Sequence, residues 1–389
     1  MKTFKYLYRN NYSKAVHAAM MLKNHRTNRH IVVFESDDWG SIRTPSLAAL
    51  ERLKAKGLQS SGASSSYDNV DTLASNDDLE LLMDTLSSIN DFKGNPPIIT
   101  FNCVTANPDF DAIRKSGFRQ YFCEPFTETL KKYPHHNRSF ELLKEGMCRK
   151  MFRPQFHGRE HLNVPAWMRY LQSSKKEVLM AFDEKMFCLD VKDGDNYTSV
   201  LQAFDIRNSE DINFVSKSIN EGLSMFERIF GFTSKTMIAP CYTWDSFVEN
   251  EANNHGVIGI QTGYIQRHSY IEKEKGNRVT GHFFGELNKN GQVYTIRNCS
   301  FEPSQNSRLN SDSCLADIKK AFTQRVPAVV SCHRLNFIGD LNPANRDVNL
   351  KDFRFLLREI IDAYPDVEFL SSDELASYYN NKCKWYDNL

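Results

Sequence analysis

The sequence lacks three features that would each point to a particular class of protein. It contains no C-x-x-C pair, no apolar stretch near the roughly 20 residues of a membrane span, and almost no net charge, at +1. Its nine cysteines are scattered from Cys103 to Cys383, which favours reduced, mostly buried thiols over a disulfide framework. The charge balance gives no electrostatic reason to bind nucleic acid. We therefore expect a cytoplasmic protein without a transmembrane segment.

The N-terminal residues 1–29 differ in character from the rest of the chain. They mix lysine and arginine with aromatic residues and contain no continuous apolar core of the kind that a secretory signal has. We predict a basic helical lead-in. It could lie on a membrane surface as a peripheral contact, but packing on the outside of the following domain is favoured.

Short apolar runs alternate with amphipathic helical patterns six or seven times along the chain. The predicted strands lie at 31–34, 98–104, 151–156, 236–239, 257–261, 327–332 and 367–370. This alternation predicts a parallel α/β architecture, as an open sheet or as a barrel. In both, functional side chains gather at the carboxyl ends of the strands. Between two alternating runs, the turn residues 288–291 (Asn-Lys-Asn-Gly) predict a β-hairpin insertion near 281–299.

Two adjacent carboxylates, Asp37 and Asp38, follow the first apolar run. At the end of a strand they could share one site, one binding a cation and the other a proton. Without a cation, such crowding forces one of them to stay protonated. The alternative is a strand followed by an ordinary Asx turn.

Histidines occupy two further strand ends. His157 and His161 are four residues apart, a spacing that lets two imidazoles meet one cation. His333 ends another apolar run, and an unperturbed histidine side chain titrates near neutrality, as a proton donor or acceptor requires. A carboxylate and two imidazoles can hold a zinc-like ion with one position open for water, while the other carboxylate and His333 act as base and acid. This combination predicts a metal-assisted hydrolase.

At these residues the chain resembles the polysaccharide deacetylases of carbohydrate esterase family 4, the NodB-homology fold. The family's first motif is an apolar strand followed by T-F-D-D-G, and here residues 35–40 read E-S-D-D-W-G. The resemblance implies that Asp37 is the catalytic base and Asp38 a metal ligand. The second motif, H-[ST]-x-x-H, implies His157 and His161 as the other ligands, with Gly158 where Ser or Thr is usual.

The third motif, R-x-P-Y-G, matches residues 239–243 only in part, since they read A-P-C-Y-T. The arginine that orients the base in the family is missing from it. Arg43, Arg153 and Arg334 are the candidates to replace that arginine. The family's use of the tyrosine N–H to stabilise the oxyanion implies the same role for Tyr242.

The resemblance extends over about residues 30–380 and implies a distorted (β/α)7 barrel with insertions, followed by a C-terminal tail at 381–389. By the last motif, His333 is the general acid. The implied cofactor is one divalent metal ion, with zinc as the default, and the implied substrate is an acetylated carbohydrate. Trp39 and Trp244 could stack on its sugar rings or pack in the core.

Three other functions compete with this interpretation. Residues 157–161 also fit H-x-x-E-H, a zinc peptidase pattern with Glu160 as base, but Pro154 and Gly158 favour a strand-to-loop setting over the helix that it requires. A glycoside hydrolase on a related barrel would use carboxylates as nucleophile and acid. A non-catalytic carbohydrate-binding member of the fold is favoured mainly by the missing motif arginine.

Overall fold

The structure, a computed structural model, describes residues 15–58, 64–188, 191–193, 196–276 and 279–386. Nine strands form the main sheet: β1 (Ile31–Trp39), β2 (Ile99–Cys103), β5 (Phe152–Phe156), β8 (Thr236–Ile238), β9 (Gly259–Thr262), β12 (Val293–Ile296), β13 (Cys299–Ser300), β14 (Ala328–His333) and β15 (Glu368–Phe369). Three antiparallel pairs lie outside it: β3 (Ala106–Pro108) with β4 (Cys123–Pro125), β6 (Val191–Asp193) with β7 (Asn196–Thr198), and β10 (Ile265–Arg267) with β11 (Val279–Gly281).

Helices occupy most of the connections between these strands. They are α1 (15–23), α2 (Leu47–Ala55), α3 (Ser64–Asp68), α4 (Asn76–Ser87), α5 (Phe110–Lys115), α6 (Phe126–Leu130), α7 (Ser139–Cys148), α8 (Val164–Gln172), α9 (Lys176–Asp183), α10 (Glu210–Phe230), α11 (Ser246–Asn254), α12 (Tyr270–Glu274), α13 (Ser311–Thr323), α14 (Pro343–Ala363) and α15 (Ser372–Tyr386). Among the described residues, no helix combines the length and apolar character needed to cross a membrane.

All strand pairs of the main sheet are parallel, in the order β12-β9-β8-β5-β2-β1-β14-β13, with β15 also paired to β1. Strand β1 lies in the middle and begins with four fully buried apolar residues, as a parallel strand covered on both faces requires. The predicted parallel α/β architecture is confirmed. The two end strands, β12 and β13, follow each other with only Arg297 and Asn298 between them. The (β/α)7 barrel stays a prediction.

The predicted hairpin near 281–299 forms around its turn, but its second arm is part of the main sheet and not of an insertion. The turn itself forms, since the Asn288 N–H donates to the Gln292 carbonyl at 2.9 Å. The chain after it becomes β12, which pairs in parallel with β9 inside the main sheet. All four β12 residues are buried, and Val293 and Tyr294 also pair with the first arm of the hairpin.

The start of the described chain packs on the rest of the protein. A Cβ added to Gly281 would lie within 3 Å of Val16 and Met20 on α1, so this helix is in close contact with β11. The Asn24 amide also donates to the Tyr264 hydroxyl at 2.9 Å. These contacts favour the packed helix over a membrane-surface helix for residues 15–23, while residues 1–14 lie outside the described part. Helix α15 crosses the predicted boundary at 380, and the domain division stays a prediction.

Candidate active site

A bulge near the end of β1 brings both aspartates of the Asp37–Asp38 pair to one place. In the pairing with β2, Ser36 lies opposite Phe101 and Trp39 opposite Cys103, so three steps on β1 match two on β2. Asp38 has a φ of +74°, outside the range of a regular strand. The alternation that would send adjacent side chains to opposite faces is therefore broken.

Asp38, His157 and His161 form a cluster with the spacing of metal ligands. Asp38 Oδ1 lies 3.4 Å from Nε2 of each histidine. Ligand atoms about 2.1 Å from an ion at tetrahedral angles are about 3.4 Å apart. Asp38 Oδ1 is also buried without a hydrogen-bond partner among the described residues. A buried carboxylate oxygen is rarely left unpaired, so the cluster fits a divalent cation.

Both imidazoles are in a state that can bind a cation. His157 Nδ1 lies 3.0 Å from the Ile238 carbonyl, which can only accept, so Nδ1 carries the proton and Nε2 is free to bind a cation. Burial lowers the pKa of His161 to about 4, although Asp38 opposes the shift, and the ring is neutral at pH 7. Metal binding requires neutral imidazoles and an ionised carboxylate. One carboxylate and two imidazoles suit Zn²⁺.

Local backbone structure places the two histidines. The N–H of His157 donates to the Cys103 carbonyl at 2.8 Å, which extends the β2–β5 pairing by one residue. The chain then turns at Gly158, whose φ is +102°. This value favours glycine over the Ser or Thr that is usual at this position of the second motif. His161 lies just before Asn163, whose side chain caps α8.

Asp37 is held by an arginine that the sequence analysis did not identify. Arg297, directly after β12, donates from Nη1 to Oδ2 and from Nη2 to Oδ1 of Asp37, both at 2.7 Å. The Asn102 amide adds a bond of 2.8 Å to Oδ1. Burial raises the pKa of Asp37, but Arg297 more than reverses this and the pKa falls to about 2. Asp37 is therefore ionised at neutral pH.

The three arginines predicted to replace the motif arginine do not fill that place. Each is paired with another aspartate: Arg43 with Asp68 at 3.3 Å, Arg153 with Asp373 at 2.7 Å and Arg334 with Asp71 at 2.8 Å. A sequence signal for Arg297 did exist, because an apolar run ends in it as other runs end in Asp37 and His333. The hairpin interpretation of residues 281–299 hid this signal.

Removing Arg297 should destabilise the fold. In Arg297→Ala the buried carboxylates of Glu35 and Asp37 lose their shared cation. Breaking a buried ion pair typically costs about 3–5 kcal/mol, and we expect a loss of this size in urea unfolding. The control is Arg52→Ala, whose side chain is 58% exposed and pairs with Glu184. Its loss should be much smaller, because an exposed ion pair contributes little to stability, and equal losses in the two variants would contradict this prediction.

His333 faces Asp37 and is paired with a carboxylate behind it. Its Nε2 lies 3.9 Å from Asp37 Oδ2, while its Nδ1 lies 2.5 Å from Glu302 Oε1. Burial alone would lower the pKa of His333, but Glu302, with help from Asp38 and Asp37, raises it to about 10. The imidazole is therefore protonated at neutral pH. Glu302 follows β13 without any distinctive pattern, so the sequence alone does not single it out.

The predicted oxyanion role of the Tyr242 N–H is not supported. Residues Pro240–Tyr242 form a 3₁₀ turn in which the Tyr242 N–H donates to the Ala239 carbonyl at 2.9 Å. The part of Tyr242 that reaches the site is its hydroxyl, which lies 3.4 Å from Arg297 Nη1.

Both tryptophans proposed to bind sugar rings lie in the core. Trp39 is 3% exposed and stacks on Phe101 with ring centroids 3.6 Å apart. Trp244 is 1% exposed, and its indole N–H donates to Glu249 at 2.9 Å. Neither ring offers a face to a ligand, so the structure favours the core-packing alternative.

The peptidase interpretation meets two obstacles. Residues 157–163 form no helix, although the H-x-x-E-H pattern requires one. Glu160, the base in that interpretation, is buried and accepts a bond of 2.7 Å from Arg159 Nε. Its carboxylate is thus committed to an ion pair.

Comparisons with known proteins find a likeness in fold alone. No protein-family model and no curated protein matches the chain. A putative polysaccharide deacetylase from Mycobacterium smegmatis is 10% identical with a TM-score of 0.46, covering 92% of this chain and 91% of that one. A carbohydrate esterase family 4 pseudoenzyme from Bacillus anthracis is 9% identical with a TM-score of 0.36, and the match covers 91% of this chain and 67% of that one. A 4-α-glucanotransferase from Thermococcus litoralis is 11% identical (TM-score 0.44; 90% of this chain), and the chain spans 40% of its length.

Proposed function

We propose that this chain is a metal-dependent hydrolase that removes acetyl groups, from nitrogen or oxygen, of a carbohydrate. One observation carries the proposal: the register of β1 sets Asp37 beside His333 on β14, while the adjacent Asp38 meets His157 and His161. A base, an acid and a set of metal ligands thus converge at one edge of the sheet, where parallel α/β proteins hold their active sites.

The metal would be held by Asp38, His157 and His161. A divalent ion bound there supplies Lewis-acid chemistry, polarising an acyl carbonyl and lowering the pKa of water. Asp37 takes the proton from the water that attacks the acetyl carbon. Its pair with Arg297 keeps it ionised and fixes its direction, but also makes it a weaker base.

His333 gives a proton to the departing amine or alcohol. This role requires an imidazolium close to the base, and His333 Nε2 on the neighbouring strand lies 3.9 Å from Asp37 Oδ2. Glu302 holds Nδ1 and stabilises the charged ring before the proton is transferred. The same apparatus serves amide and ester substrates.

The structure weakens the support for the non-catalytic alternative. That alternative was favoured by the missing motif arginine, and Arg297 now contacts Asp37 through two nitrogens. No observation in the described residues favours the glycoside hydrolase alternative.

The direct test is acetate release from a panel of N- and O-acetylated oligosaccharides, measured with the zinc-loaded protein. We expect release from at least one member at a rate well above that of the buffer alone. Cleavage of glycosidic bonds without acetate release would favour the glycoside hydrolase instead. A zinc-loaded, folded protein that binds these sugars but releases nothing would favour the binding module.

The Glu302–His333 pair predicts a change in the pH profile. Because Glu302 raises the pKa of His333, the general acid stays protonated well above neutrality and activity falls only as the pH rises through that value. In Glu302→Gln, burial should lower the pKa, so the alkaline limb of kcat/KM should move to lower pH by at least about one unit.

The matched control for this prediction is Glu286→Gln. Glu286 contacts His282 Nδ1 at 3.0 Å in another carboxylate–histidine pair, on the segment between β11 and β12. Its variant should leave the alkaline limb in place. If the alkaline limb of kcat/KM does not move in Glu302→Gln, a group other than His333 determines its position.

A further inference from the structure

Arg297 contacts a second carboxylate besides Asp37. Glu35 lies two residues before Asp37 on β1, so both side chains project from the same face of the strand. Its Oε2 accepts a hydrogen bond of 2.6 Å from Arg297 Nε. The guanidinium therefore uses Nε on Glu35 and its two terminal nitrogens on Asp37.

The geometry of this arrangement is more restrictive than a single ion pair. A guanidinium is planar, and three of its donors are fixed here by two carboxylates on two different edges of the plane. Without Glu35, Arg297 would keep its pair with Asp37 and only longer side-chain contacts of 3.3–3.4 Å, which restrain the guanidinium less. With Glu35 present, Arg297 is held at a second point on β1. The strand therefore fixes the guanidinium, and the guanidinium fixes the direction of the Asp37 carboxylate.

Glu35 is itself anchored in the core. It is fully buried, and its Oε1 accepts a bond of 2.7 Å from the Ser372 hydroxyl at the first residue of α15. The Ser372 N–H donates in turn to Thr100 Oγ1 on β2 at 2.9 Å. A chain of hydrogen bonds thus runs from the start of α15 through Glu35 and Arg297 to Asp37.

We propose that Glu35 is a positioning residue for the hydrolytic reaction, which fixes Arg297 so that Asp37 points at the attacking water. This inference rests on the proposed function. It also accounts for the shift of the arginine from the third motif to the end of β12: at that position Arg297 reaches Asp37 and Glu35 together.

The test compares Glu35→Ala with Glu35→Gln. An amide oxygen can accept the Nε–H bond as a carboxylate oxygen does, so Gln should keep Arg297 in place and Ala should release it. Misplacing a reacting group by about 1 Å can cost about 100-fold in rate. We expect kcat to fall about 10- to 100-fold in Glu35→Ala with KM little changed, and Glu35→Gln to recover to within a few-fold of the wild type.

A double variant separates positioning from a general loss of stability. In an Arg297→Ala background, Glu35→Ala should cause no further fall in kcat, because the two residues act through one contact. A multiplicative loss in the double variant would overturn the proposal. So would a Glu35→Ala enzyme with wild-type kcat, or a Glu35→Gln enzyme as slow as Glu35→Ala.

A measurement that does not depend on activity distinguishes failure of the Glu35–Arg297 contact from failure of the proposed function. In ¹⁵N–¹H spectra of the full chain, the buried Arg297 Nε–H should give a resonance protected from exchange. The resonance should persist in Glu35→Gln and disappear in Glu35→Ala, while zinc affinity stays unchanged in both. If the wild type released no acetate but the spectra behaved in this way, the proposed function would fail and the Glu35–Arg297 contact would stand. An unprotected Nε–H in the wild type would overturn the contact itself.

Discussion

Asp37→Asn is expected to release acetate about 10³-fold more slowly than the wild type, within the range of about 10²–10⁴ that a general base contributes. The amide is nearly the same size as the carboxylate but cannot take a proton from water. Asp37 is not one of the proposed metal ligands, which are Asp38, His157 and His161. Zinc binding should therefore survive the substitution, and the loss should appear in kcat.

The matched control is Asp373→Asn. Asp373 is also a largely buried aspartate paired with an arginine, Arg153, at 2.7 Å, but it lies in the first turn of α15. Its variant should keep nearly all of the activity. If Asp37→Asn and Asp373→Asn lost activity equally, Asp37 would have only a structural role.

His161→Ala is expected to abolish acetate release by removing a metal ligand. The loss in zinc affinity should exceed the roughly 10- to 100-fold that removal of an outer-shell partner causes. Thermal unfolding should show the same effect. Ligand at a thousand-fold excess over its Kd stabilises a protein by about 4 kcal/mol, so zinc should raise the Tm of the wild type and leave that of His161→Ala almost unchanged.

His255→Ala is the control for this comparison. His255 lies at the end of α11, where its Nε2 is 2.8 Å from the Asn220 side chain, away from the proposed ligands. Its variant should bind zinc and respond to it as the wild type does. Retention of zinc-dependent stabilisation in His161→Ala would show that the ion binds elsewhere.

The sequence was enough to predict the residues that lie at strand ends. Asp38, His157 and His161 each follow an apolar run, and the carboxyl ends of parallel strands lie at one edge of a sheet. The local pattern therefore implied that distant residues would meet, and the structure places the three ligand atoms within 4.8 Å of one another. Their role as ligands is still a prediction.

The residues that hold the base and the acid could not be predicted in the same way. Arg297 is 260 residues from Asp37, and its position depends on β12 joining the edge of β9. Alternating residues on both sides of a turn predict a hairpin. Only the packing of the whole sheet shows that the second arm also pairs with β9. Glu302 follows the two-residue strand β13, which has too little pattern to be recognised.

Burial and backbone hydrogen bonding account for two groups that the structure places away from the expected site roles. Trp39 follows the aspartates directly, but the bulge in β1 turns its ring onto Phe101. The amide of Tyr242 is used by the turn that it helps to form. In both cases the residue type suited the predicted role, and the local conformation directed the group elsewhere.

The central claim is that Asp38, His157 and His161 bind a metal on which hydrolysis depends. The most direct measurement is acetate release by the wild-type protein after complete removal of metal and again after addition of one equivalent of zinc. The account predicts release at the background level without metal and recovery at one zinc per chain. Release that persists in the metal-free protein, or that stays absent with one zinc bound, would contradict it.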